Sequence, residues 1–82
     1  MDVAEVKTRI DTAEREINNA ANLVQQAIYM LDTAHTEIVL VRATSHDPLG
    51  LAQLNDMREQ LERVIAQRGG VIDSLNNYKV NL

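Results

Sequence analysis

The sequence contains no cysteine, no phenylalanine and no tryptophan, and its only aromatic residues are Tyr29 and Tyr78. Without cysteine the chain can form neither a disulfide nor a thiolate metal site. Aromatic side chains supply much of the buried area in compact small domains. The composition therefore favours a thin seam between helices, built from valine, isoleucine, leucine and alanine, over a globular core.

The chain also lacks a basic surface and a long apolar run. Its 82 residues carry 12 acidic and 8 basic side chains, a formal net charge of −4. Binding of nucleic acid needs a basic stripe, often with stacking aromatics, so nucleic acid is not an expected partner. The longest purely apolar run, residues 38–41, is far too short for membrane insertion.

The first residues show neither the basic n-region nor the apolar h-region of a secretory signal peptide. The absence of cysteine agrees with a reducing compartment. We therefore expect a cytoplasmic protein, while export without a signal peptide stays open.

Glycine and proline are absent from the first 47 residues. Over residues 2–43 the apolar side chains recur at alternating spacings of three and four, which is a heptad repeat. One row of the repeat is large and mostly β-branched, and the other consists mainly of alanine. The large positions are Val3, Ile10, Ile17, Val24, Leu31 and Ile38; the small ones include Ala13, Ala20, Ala27 and Ala34, here called the alanine row. The pattern predicts one long helix that a neighbouring antiparallel helix can approach closely.

A single polar break covers residues 44–47 and is followed by Pro48. Asp47 is the predicted N-cap, and Pro48 the first residue, of a second helix over residues 48–78. Its predicted seam comprises Leu54, Met57, Leu61, Val64, Arg68, Val71, Leu75, Tyr78 and Leu82. So short a turn returns the second helix along the first. The sequence therefore predicts a single all-α domain, an antiparallel two-helix coiled-coil hairpin.

The pair Gly69–Gly70 lies inside the second repeat, yet the phase of the repeat continues unshifted across it. We therefore predict a continuous helix there. Folding the chain about the turn places the two glycines opposite Ala21 and Asn22, one step from Ala20. Small residues facing small residues predict close helix packing at Ala13, Ala20, Ala27, Ala34, Gly69 and Gly70.

More apolar residues flank the two seams than a single hairpin can cover. An apolar stripe of that width implies another helical layer. The expected interface comprises Leu23, Ile28, Met30, Leu51, Ile65, Ile72 and Tyr78. We expect the hairpin to pair with itself as a four-helix bundle, most simply as a homodimer, or to bind another helical protein.

Catalysis needs groups that converge in a pocket, and a narrow hairpin offers none, so we expect neither enzyme activity nor a cofactor. The alternative is a metal-binding four-helix bundle that uses His35 and core acids. A metal site needs three or four ligands, and Asp32 is the only partner near His35 at helical spacing. A structural role of His35 is therefore favoured. Arg68, at a seam position, is expected either to extend its stem over the seam or to pair with Glu16 or Asp73.

The chain resembles the small Trp-x-Gly helical-hairpin proteins of type VII secretion in its two long predicted helices, its short polar turn and its net negative charge. The turn here reads Ser45-His46-Asp47-Pro48-Leu49-Gly50, without tryptophan, and Leu82 stands where that family places an acid after its tail tyrosine. The segment from Asp47 to Leu82, with its Pro-Leu opening and its near-terminal Tyr78, is also similar to small helical proteins common in actinobacteria. Because the turn tryptophan and the tail acid are missing, secretion is not carried over from that family. The resemblances imply an accessory or partner protein rather than an enzyme, and a link to a secretion or toxin system is one hypothesis.

Overall fold

A computed structural model describes all 82 residues. It contains two α-helices, α1 (Val3–Arg42) and α2 (Leu51–Val80), and no strand. The helices run antiparallel and form a rod of 64 × 15 × 14 Å. The predicted all-α hairpin is therefore confirmed.

Helix α1 begins where the sequence provides a cap. The Oδ1 atom of Asp2 accepts a hydrogen bond from the Glu5 N–H at 2.7 Å, which satisfies one of the free donors of the first turn. Glu5 adds a negative charge at this end, where the helix dipole favours it. At the other end the Thr44 hydroxyl donates to the Val41 carbonyl at 2.8 Å. The helix is 40 residues long, as the unbroken repeat predicted.

The turn differs from the prediction. Asp47 is not the N-cap: α2 starts at Leu51, and the N-cap is Gly50, with a left-handed φ of 76°. The Asp47 side chain instead accepts a hydrogen bond from the Leu49 N–H at 2.9 Å. Leu49 is also left-handed, at φ 53°. Two consecutive left-handed residues reverse the chain, so the helix begins three residues later than predicted, and the Asp47 carboxylate holds the turn.

Helix α2 runs without interruption through Gly69 and Gly70, as predicted, and continues to Val80. The predicted role of these glycines in close helix packing is wrong. Both are exposed, and a Cβ added at either position would meet nothing within 4 Å. They point away from α1, because α2 is turned about its axis relative to the predicted orientation.

The seam of α2 shows this rotation. Its half-buried residues are Leu51, Leu54, Arg58, Leu61, Ile65, Arg68, Ile72, Leu75, Asn76 and Lys79. The predicted seam shares only Leu54, Leu61, Arg68 and Leu75 with this set. Both sets follow a heptad repeat, so the spacing alone allowed either. The observed set places two isoleucines in the seam and lets Arg58 and Lys79 reach acids on α1. These contacts favour the observed set over the predicted one.

The core of the hairpin is thin. Only Ile10, Ala21 and Ile28 are buried, and no side chain is fully enclosed. Ile28 was predicted to face a partner, but it is 5% exposed and packs in the seam. Ala21, one residue from the alanine row, occupies the close-packed position that was predicted for Ala20. On α1 the seam thus lies slightly to one side of the predicted rows.

Candidate interaction surface

The two broad faces of the rod differ in charge. All ion pairs between the helices lie on one of them, here called the polar face. Near the turn, Arg58 Nε lies 2.7 Å from the Oδ1 atom of Asp32. At the open end, Lys79 Nζ lies 2.8 Å from the Oδ1 atom of Asp11 and 3.9 Å from Oε2 of Glu14. These pairs join the helices near both ends.

The ion pair at the open end changes a pKa. The hydrogen bond from Lys79 to Asp11, and the negative charges of Asp11 and Glu14, raise the pKa of Lys79 above its usual 10.5, although partial burial opposes the shift. The charged form of Lys79 is therefore the one that holds α2 against α1. One oxygen of Glu14, Oε1, is buried without a hydrogen-bond partner.

Arg68 lies in the seam, as predicted, but pairs with neither Glu16 nor Asp73. Its NH1 group lies 3.5 Å from the Oδ1 atom of Asn18 on α1, a long hydrogen bond. The aliphatic stem of Arg68 lines the groove between the helices together with Val64 and Val71. The side chain thus covers the seam while its charged end reaches a polar side chain.

The opposite face carries a shallow apolar groove. Ile17, Ala20 and Val24 line it from α1, and Val64 and Val71 line it from α2. Ala20 is the one residue of the alanine row that lines this groove, and the heptad spacing places the rest of the row on the same side of α1. The other bank follows a seven-residue spacing along α2 and consists of Met57, Val64, Val71 and Tyr78, here called the large row. We call the two rows together the apolar face.

The residues of the large row are about half exposed. Between 48% and 58% of each of its residues is accessible: Val64 48%, Val71 49%, Met57 51% and Tyr78 58%. Scattered apolar residues are normal on protein surfaces, but a continuous row marks a site of contact. Sequence reasoning named all of these residues and placed them in the seam, where they do not lie.

The register of the hairpin brings the two rows into step. Asp32 lies level with Arg58, and Asp11 lies level with Lys79. Counting along both helices from these pairs, each alanine lies within about one residue of the level of one large residue, since both rows advance by a heptad. The neighbours are Ala13 and Tyr78, Ala20 and Val71, Ala27 and Val64, and Ala34 and Met57. Within the apolar face, small side chains thus lie along α1 and larger ones along α2, and the exposed Leu23 and Met30 flank the alanine row on α1.

The predicted interface residues divide into two groups. Leu23 and Met30 are 64% and 69% exposed and lie on α1 beside the alanine row, and Tyr78 belongs to the large row. The others are turned inward: Ile28 is buried, and Leu51, Ile65 and Ile72 are half-buried in the seam. The prediction that Ile28 faces a partner is wrong, because Ile28 is buried against α2. Leu51, Ile65 and Ile72 stay partly accessible beside the seam, and their contact with a partner stays a prediction. In the alanine row, Ala20 is exposed and the other three are half-buried.

The structure brings together no metal site. No group of three or more His, Asp, Glu or Cys side chains is placed to hold a metal ion. His35 is half-buried at the seam, and the carboxylate of its neighbour Asp32 pairs with Arg58. The shallow groove on the polar face, which includes Tyr29 and Glu62, is lined by this same ion pair. The metal-binding alternative thus lacks a ligand set within one hairpin.

Neither helix has a stretch that is long and apolar enough to cross a membrane. Comparison with family models, with curated proteins and with solved structures gives no match to this chain.

Proposed function

We propose that this protein is a non-enzymatic helical interaction module. Its apolar face would pack against other helices, supplied by a second copy of the chain or by a helical partner. Burial of apolar area is the main favourable term in protein association. The module would thus work by contact along its length rather than by chemistry at one point.

The observation that carries this proposal is the mismatch between buried and exposed apolar residues. Only three residues are buried, whereas the large row stays about half exposed. Small chains depend on a partner, a disulfide or a metal when their own core is thin. This sequence has no cysteine and the structure has no metal cluster, so a helical partner is the remaining stabiliser that the surface supports.

The resemblance to the type VII helical hairpins extends the proposal to a biological setting. An accessory or partner component of a secretion or toxin system would need a helical contact surface and no active site. The apolar face supplies such a surface.

The proposal is tested by light scattering of the purified chain over a dilution series, with circular dichroism alongside. Substitution Val64→Glu places a charge on the apolar face, and Ala66→Glu, an exposed position on the other side of α2, is the matched control. We expect the wild-type chain and A66E to associate with themselves or with a helical partner. V64E should stay helical and lose that association.

Two results would contradict this function. One is a wild-type chain that stays monomeric at every concentration and retains no helical partner from its source. The other is equal association of V64E and wild type, which would place the contact elsewhere.

A further inference from the structure

We draw no further inference here: the strongest candidate, the groove on the apolar face that Val64, Arg68 and Val71 line from α2, is an unpartnered surface, and nothing in the structure shows what covers it.

Discussion

Gly69 and Gly70 lie on the outside of α2 with open space where a side chain would be. Neither has the positive φ that makes glycine necessary, whereas Gly50, at φ 76°, does. Glycine in a helix interior costs backbone entropy without any packing gain here. The same residue type therefore destabilises the helix at two positions and permits the turn at a third.

This contrast gives a prediction for the glycines. Gly69→Ala and Gly70→Ala should each stabilise the protein by about 1 kcal/mol, the difference in helix propensity. Gly50→Ala, the control, should destabilise it by roughly 1–2 kcal/mol, because alanine resists the left-handed conformation. Urea unfolding followed by circular dichroism measures all three. A loss of stability in G69A or G70A would mean that something outside the hairpin contacts this side of α2.

Lys79 allows a prediction about pH. Its pKa in the folded chain is raised above 10.5, so folding favours the protonated form. The stabilisation is complete below the unfolded-state pKa and is lost as the pH rises through the folded-state pKa. The difference in unfolding free energy between wild type and Lys79→Met should therefore shrink as the pH rises above about 10.5. A difference that does not change with pH would rule out the Lys79 contact.

At the scale of the helix, the packing of the hairpin is determined by which face of each helix is buried. On α1 the buried positions include Ala21 and Ile28, one residue beyond Ala20 and Ala27 of the alanine row. Such a small rotation decides whether an alanine is a close contact between α1 and α2 or part of an open surface. Adjacent alanines should therefore respond differently to enlargement.

Ala21→Leu and its neighbour Ala20→Leu form a matched pair. Ala21 is 6% exposed, so a leucine there overpacks the seam and should cost about 1–3 kcal/mol of stability. Ala20 is exposed, and its replacement should change the stability of the single hairpin little. Thermal unfolding at concentrations low enough to hold the chain monomeric separates the two. Equal destabilisation by both would place Ala20 in the seam.

The whole molecule is a rod whose apolar residues are only partly used within one chain. Its length exceeds four times its width, so most residues of both helices have one neighbour helix at most. A second hairpin would convert the half-exposed large row into a core layer. Stability would then depend on protein concentration.

The midpoint of thermal unfolding should therefore rise with concentration. For a dimer of chains this size, a tenfold increase is expected to raise the midpoint by roughly 3–5 °C. In Val64→Glu the midpoint should not vary with concentration. Differential scanning calorimetry across three decades of concentration provides the check, and a wild-type midpoint that stays constant would speak against self-association.

Much of the architecture could be read from residue order. The heptad repeat, the absence of glycine and proline before Pro48 and the polar turn predicted two long helices in a hairpin. The uninterrupted phase across Gly69–Gly70 predicted a continuous α2 correctly. The details of the turn could not be read in this way, since the use of Asp47 as a turn residue rather than an N-cap depends on two left-handed residues after it.

The candidate surface was harder to predict for a related reason. Two overlapping heptad repeats run along α2, one through Ile65 and Ile72 and the other through Val64 and Val71. Both have the correct period, so periodicity cannot choose between them. The spacing of apolar residues shows that a helix has an apolar side. It does not choose between two adjacent rows on that side, so it does not determine how the helix is rotated about its axis.

The sequence by itself therefore determined the hairpin, its length, its register and the residues from which both the seam and the apolar face are made. The tertiary structure decided which of those residues lie inside. Burying Ile65 and Ile72 allows Arg58 and Lys79 to reach Asp32 and Asp11 across the seam, and it leaves the large row in solvent. That choice depends on contacts between residues far apart in the chain, and the spacing of residues within one helix does not show such contacts.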